Sequence, residues 1–319
     1  MILILSQSYE QSTDNVMDWL QYRNVSFLRV NSIDFYFNGC ANLFISNEFT
    51  NLLIQGIDDD KFNCVWLRRW GIREKEVKLS LNLPSAQNTI NDVRKLIISE
   101  FDALKNFLFL RWHNKKWLTY PSQYGVNKLF VLQAAVNVGL IIPITNIGIR
   151  IPQIANKIIT KAIGEMDAIA FNKSFCLAYT TVIDNKELYL RNKALSLTQN
   201  FVEKAYEIRT FFFYGKFYSM AIFSQKDSQT QVDFRRYNNV KPNRTVLFNL
   251  PKNVEEKLTL LMKSVNLDHG SIDMIVSTEG EFIFLEINPV GQFGMVSGPC
   301  NYYLEELFAS KLINLNNLR

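Results

Sequence analysis

Hydrophobic positions follow two rhythms along this chain. Residues 2–5 form a short unbroken apolar run ending on a polar break, the pattern of a buried strand. Ser12-Thr13-Asp14 supplies helix N-cap chemistry, and Val16, Trp19 and Leu20 then share one helical face. A second strand over 25–30 completes strand–helix–strand, the opening of an α/β domain. Residues 35–37, 43–45 and 64–67 read as further strands. Residues 90–112 place Val93, Ile97, Ile98, Phe101 and Leu104 on one side of a long amphipathic helix. The loop-forming Pro121-Ser122-Gln123-Tyr124-Gly125 closes this first domain. A helix over 129–138 follows and stops at Gly139. Beyond it the period of two dominates. Strands are expected at 157–161, 176–183 and 187–190, with Asp184-Asn185 as a turn, and in a hairpin of 207–213 and 217–223 around Tyr214-Gly215-Lys216. After a polar loop at 226–231 come a helix over 254–265, a last hairpin of 271–276 and 282–287, and a closing helix over 302–313.

Composition narrows the chemistry. The 319 residues are 48% hydrophobic and 20% charged, enough for a large core in two or three subdomains. Only 2 His are present, His113 and His269, so a three-His zinc site is excluded. The 4 Cys (Cys40, Cys64, Cys176, Cys300) are scattered without a Cys-x-x-Cys pair, against zinc ribbons, iron–sulfur clusters and a disulfide framework. Any catalysis must therefore use Asp, Glu, Asn, Lys and Arg. A net charge of +5 is mild for a nucleic-acid binder and suits phosphates or an acidic polypeptide. The N-terminus lacks a basic n-region, and the longest apolar stretch, 129–142, is broken by Gln133, Asn137 and Gly139. The expectation is a soluble, cytoplasmic protein with neither nucleic acid nor membrane as partner.

The segment 272–289 carries the most chemistry. Two strands meet at Glu279-Gly280, and on the second Glu286 and Asn288 leave the same face, which Phe284 is expected to share. Asp273 on the partner strand can face them. Three oxygen donors without His or Cys suit Mg²⁺, a hard cation that keeps waters and shares phosphate ligands. A polar, solvated hairpin face accounts for the same residues equally well.

Phe284-Leu-Glu286-Ile-Asn288-Pro-Val-Gly291-Gln292 resembles the terminal motif of ATP-grasp ligases. The Gly-Gln extension is closer to the graspetide (microviridin-type) synthetases. Trp66-Leu-Arg68-Arg69, Asn127-Lys128-Leu and the run from Ala134-Ala135 to Thr145-Asn146 look most like the maturases of grasp-with-spasm peptide systems. The resemblance spans about residues 1 to 313 and is tightest over 120–300. It implies an α+β, ATP-grasp architecture: an N-terminal α/β pre-ATP-grasp domain (1–120), a central subdomain (121–198) and a C-terminal subdomain (199–319) with the metal-binding hairpin.

Residue by residue, the resemblance implies an ATP site. Lys161 looks like the central-domain Lys on the α- and β-phosphates, and Lys128 resembles the earlier Lys near the phosphates. Gln199, Phe201 and Val202 fall in the hinge that faces adenine. Glu207 matches the acidic residue at the ribose hydroxyls, and Arg209 the Arg near the γ-phosphate or acyl group, where a planar fork grips either anion. Asp273, Glu286 and Asn288 match the Mg²⁺ ligands. Asp233 and Arg235 resemble the Asp-x-Arg element linked to the substrate's acidic core. The segment after Lys161 departs from the pattern in having a single glycine, Gly164. The Arg68, Arg69, Arg73 segment and Arg235-Arg236 are candidates for contacts to an acidic peptide, solvated surface Arg being the plain alternative.

The activity implied is ATP-dependent activation of Asp/Glu side chains of a ribosomally made precursor peptide, followed by intramolecular ω-ester or ω-amide formation. Implied partners are that precursor, a radical-SAM SPASM-type enzyme of the same gene cluster, and a second copy in a homodimer. A ligase adding amino acids to a protein C-terminus and a non-catalytic peptide-binding ATP-grasp scaffold are the other readings.

Overall fold

The computed structural model describes residues 1–319 except 74–75, 78–85, 149–156, 165–168, 172–173, 177–179, 185–194, 228, 235, 237 and 319. The chain divides into two compact units, one of residues 1–124 and 303–319, the other of residues 125–302.

In the first unit β1 (Ile2–Ser6), α1 (Gln11–Tyr22), β2 (Phe27–Asn31), α2 (Ser32–Phe37), β3 (Ala41–Ile45), β4 (Thr50–Ile54), β5 (Ile57–Asp58), β6 (Cys64–Leu67), α3 (Ala86–Arg111) and β7 (Lys116–Leu118) follow in order. The order β2-β1-β6-β7 forms a parallel sheet, and β3-β4-β5 a small antiparallel one. β1 is buried along its whole length, as expected of a parallel strand covered on both faces. Residues 35–37 are helical, not extended. Helical spacing puts Ser32 and Phe35 on one buried side, with the Phe35 ring 5.1 Å from Trp70. Packing between aromatic rings outweighs strand propensity in so short a run. The α1 cap also differs: Glu10 is the N-cap, its carboxylate accepting from Thr13 N–H at 2.7 Å.

The second unit opens with α4 (Lys128–Asn137), capped by the Asn127 carboxamide and closed at Gly139 with φ +78°. β8 (Thr145–Gly148), β9 (Lys157–Lys161), β12 (Thr181–Asp184) and β13 (Ser196–Asn200) form an antiparallel sheet in the order β12-β9-β13-β8, and β10 (Ile169–Phe171) pairs with β11 (Ser174–Cys176). The expected subdomain boundary, between residues 198 and 199, lies within β13. The expected strand over 187–190 lies outside the described residues.

A second antiparallel sheet, β16-β15-β14-β17-β18, contains β14 (Lys204–Phe213), β15 (Lys216–Phe223), β16 (Arg244–Phe248), β17 (His269–Ser277) and β18 (Phe282–Asn288). One face packs Ile208, Phe212, Ile272, Met274, Phe284 and Ile287 against α4 and α5 (Lys252–Ser264). The opposite face is thereby left for polar side chains. α6 (Gly294–Cys300) packs Val296 with Met220, Ile222 and Phe234. The final helix, α7 (Leu304–Asn317), belongs to the first unit, where Phe308 lies 5.6 Å from the Trp66 ring. Among the described residues, no helix is long and apolar enough to cross a membrane.

Candidate active site

The polar face of β14, β17 and β18 is organised in cross-strand rows. In one row Arg209 faces Asp273, and Asp273 faces Glu286. In the next, Phe211 faces Ser271, and Ser271 faces Asn288. Asp273, Glu286 and Asn288 therefore share one face, as their spacing predicts. Phe284 does not join them. Asp273 pairs with Glu286 but Met274 pairs with Phe284, so Leu285 is an extra residue in β18. This bulge reverses the parity beyond it and turns Phe284, fully buried, into the core on the opposite face.

Each carboxylate in the first row has a cationic neighbour. Arg209 Nη1 donates to Asp273 Oδ1 at 3.2 Å and Oδ2 at 3.3 Å. Lys128 Nζ, at the start of α4, lies 3.7 Å from Glu286 Oε2. Among the described residues, the buried Nε of Arg209 and the buried Oδ1 of Asn288 have no hydrogen-bond partner. Buried polar atoms are rarely left unpaired. An orphaned carboxamide oxygen beside two carboxylates is the donor set a hard divalent cation uses, and it fits Mg²⁺.

A cleft opens alongside, lined by Lys161, Gln199, Phe201, Val202, Glu207, Asp233, Asp273 and Glu286, with apolar walls from Ile159, Ile275 and Leu285. Gln199 is fully buried; its Nε2 donates to Thr145 Oγ1 at 2.8 Å, which leaves Oε1 as an acceptor without a partner among the described residues. At the hinge, Asn200 Oδ1 accepts from Ile144 N–H at 2.7 Å, and Phe201 N–H donates to Lys157 O at 2.9 Å. Phe201 thus offers its ring, over which Lys157 Nζ lies at 4.0 Å, and not its N–H. Asp233 is buried, accepts from Thr180 N–H at 3.3 Å, and is followed by Phe234 anchored in the core. Arg235 lies outside the described residues.

Glu207 has a partner that sequence spacing hides. Lys204 Nζ donates to its Oε1 at 2.6 Å, and Ser224 Oγ donates to the same oxygen at 2.7 Å. Residues three apart in a regular strand point to opposite faces, but a register shift between Lys204 and Tyr206 brings them together. Burial pushes the Glu207 carboxyl above its ordinary range, against the pull of Lys204 and the two hydrogen bonds. Lys204 is a site residue that strand periodicity could not reveal.

The basic segment after β6 is structural in part. Arg68 is buried and donates to Glu10 Oε1 at 3.2 Å, and Arg73 is paired with Glu76 at 2.7 Å. Arg68 is therefore withdrawn as a contact to peptide. Neither His lines the cleft. Asp58, Asp59 and Asp60 form a carboxylate cluster elsewhere, but Asp59 is taken by Arg111 at 2.8 Å and by Trp112 Nε1 at 2.7 Å.

The turn after β18 closes over the second row. Gly291 N–H donates to Asn288 O at 3.1 Å, and a Cβ at 291 would stand 2.3 Å from Ser271 Oγ and 2.5 Å from its Cβ. Gly291→Ala is expected to cost about 1–3 kcal/mol through this overlap. Thermal unfolding should show the loss, and adding Ser271→Gly should recover most of it. A single variant as stable as the parent would show that the turn yields freely.

No protein-family model and no curated protein matches the chain. Among solved structures, it is similar to the macrocyclase MdnC of Microcystis aeruginosa bound with precursor peptide MdnA, at 23% identity and TM-score 0.79 over 98% of this chain and 99% of that one. It is similar to a RiPP-associated ATP-grasp ligase of Chryseobacterium gregarium in complex with ADP and leader and core peptides, at 22% identity and TM-score 0.77 over 98% and 96%. The ATP-grasp ligase PsnB, complexed with minimal precursor, Mg and ADP, aligns at 15% identity and TM-score 0.75 over 99% and 97%. Sheet order, the paired carboxylates of β17 and β18, and likeness along nearly the whole chain lead to one conclusion: this protein has the ATP-grasp fold.

Proposed function

We propose that this chain is an ATP-dependent, Mg²⁺-using ligase that crosslinks side chains within a ribosomally made precursor peptide. The observation that carries the reading is the row Arg209–Asp273–Glu286–Lys128 beside the orphaned Asn288 Oδ1, at the mouth of a cleft with polar ends and apolar walls. Full-length likeness to ligases crystallised with precursor peptides supports the substrate class.

In this reading Gln199 Oε1 accepts from the adenine amino group, Phe201 and Val202 flank the ring, and Glu207 receives the ribose hydroxyls. Lys161 and Lys128 carry charge opposite the phosphates. Asp273, Glu286 and Asn288 hold Mg²⁺, which neutralises phosphate charge when bound. A carboxylate oxygen of a peptide Asp or Glu attacks the γ-phosphorus, the bond to ADP breaks, and an acyl phosphate forms. A Ser/Thr hydroxyl or Lys amine of the same peptide attacks the acyl carbon, phosphate leaves with the bonding pair, and the nucleophile's proton ends on the departing phosphate. Such chemistry needs positioning and charge more than a protein base. Arg209 orients the acyl group, and Asp233 with Arg235 receives the acidic core of the peptide. The reading extends to the cytoplasm as the site of action, to a radical-SAM SPASM-type partner, and to a homodimer.

The test is to incubate the protein with ATP, Mg²⁺ and peptides that combine Asp/Glu with Ser, Thr or Lys, and to follow mass. One water is lost per crosslink, matched by one ADP. Hydrolysis of ATP with no dehydrated peptide from the cognate precursor would sink the macrocyclase reading.

A further inference from the structure

A second unpaired oxygen lies beside the first. Ser271 is 1% exposed, and its buried Oγ has no hydrogen-bond partner among the described residues. It stands directly across from Asn288, whose Oδ1 is the other orphan of that row. Side chains paired this way have Cβ atoms roughly 4.5–5.5 Å apart. The turn that ends in Gly291 covers the serine, so its hydroxyl is enclosed with the carboxamide and sealed from bulk solvent. Another buried serine of the same sheet shows the usual arrangement: Ser219 Oγ meets Thr210 Oγ1 across its strand pair at 2.8 Å. A buried hydroxyl beside a carboxamide oxygen that ligates the cation suits a molecule that coordinates the same cation and donates to the hydroxyl oxygen. Water satisfies that, and Mg²⁺ sites keep several waters.

We infer that Ser271 is a positioning residue of the metal site, its hydroxyl oxygen accepting from a water of the cation's hydration shell beside Asn288. The inference rests on the ligase reading of the same site. Groups that orient a ligand from behind commonly change metal affinity by about 10- to 100-fold when removed. A serine kept only because it is small under Gly291 would be replaceable by alanine without consequence.

The experiment compares the parent protein with Ser271→Ala and Ser271→Cys. Calorimetry is run with ADP in excess Mg²⁺ and with ADP in chelator, and thermal unfolding without ligand. Ser271→Ala should unfold at or above the parent temperature, because an unsatisfied buried hydroxyl has been removed, and Ser271→Cys somewhat below it, because the larger sulfur crowds Gly291. Both should bind ADP in chelator as the parent does. With Mg²⁺, affinity should fall about 10-fold. Unchanged affinity with Mg²⁺, or an equal loss with and without it, overturns the role of Ser271 while leaving the ligase reading in place. Absence of any Mg²⁺-dependent ADP binding by the parent overturns both. If Ser271→Ala misfolds, the near-isosteric Ser271→Cys alone decides.

Discussion

Glu286→Gln is expected to lower turnover about 10³-fold or more while the protein stays folded. Gln keeps the shape of the side chain and removes its charge. Glu286 stands opposite Asp273, with Lys128 Nζ 3.7 Å away, so the substitution leaves one carboxylate to share among Arg209, Lys128 and a divalent cation. The side chain is 22% exposed, so its ion pair with Lys128 is worth little to the fold. Asn288→Ala should act in the same direction on turnover but not on stability. It deletes an acceptor that has no partner among the described residues, and losing a buried unsatisfied atom is neutral or favourable. Steady-state ADP release, circular dichroism and calorimetry with Mg²⁺ and ADP together separate these effects. Turnover near the parental rate in either variant would place the metal elsewhere.

The largest effect on stability is expected in the other unit. Glu10 and Arg68 are 3% and 2% exposed and meet at 3.2 Å, and Glu10 also accepts from the Thr13 N–H and hydroxyl at 2.7 Å each. Glu10→Ala removes the carboxylate partner of a buried guanidinium and the α1 cap together, and should cost about 3–5 kcal/mol. A double variant, Glu10→Leu with Arg68→Met, should recover part of that loss, since neither charge then has to be desolvated. Burial alone would raise the Glu10 carboxyl, yet Arg68 and the bonds from Thr13 outweigh it and hold it below its ordinary range. With the folded value depressed, the contribution is complete above the ordinary glutamate range and is lost as pH falls through the folded value. The parent should therefore weaken at acid pH, and Glu10→Gln should flatten that part of the profile. All 5 Trp (Trp19, Trp66, Trp70, Trp112 and Trp117) belong to this unit, so indole fluorescence in urea reports its unfolding separately from residues 125–302. A Glu10→Ala midpoint equal to the parent's would show that Arg68 finds another counter-charge.

Much of the candidate site was legible because its geometry is local. Glu286 and Asn288 lie two apart on one strand, Asp273 sits across a short hairpin, and alternation is enough to put all three on one face. Glu207 and Arg209 share that face by the same rule. Where a bulge interrupts pairing the rule fails, because the extra residue is set by the partner strand and not by composition. One such bulge turns Phe284 to the face opposite the one alternation predicts, and another brings Lys204 to Glu207.

The amino-acid sequence by itself determined the element types over long periodic stretches, the oxygen-only donor set and the near absence of imidazole, since these depend on residue identity and spacing along one segment. Tertiary structure alone decided which cations face which carboxylates, that Arg68 is buried with Glu10, that residues 35–37 coil into a helix against Trp70, and that α7 joins residues 1–124. Each of those outcomes is an encounter between residues far apart in the chain, where the cost of desolvation and the shape of the neighbouring surface choose among local structures of nearly equal free energy.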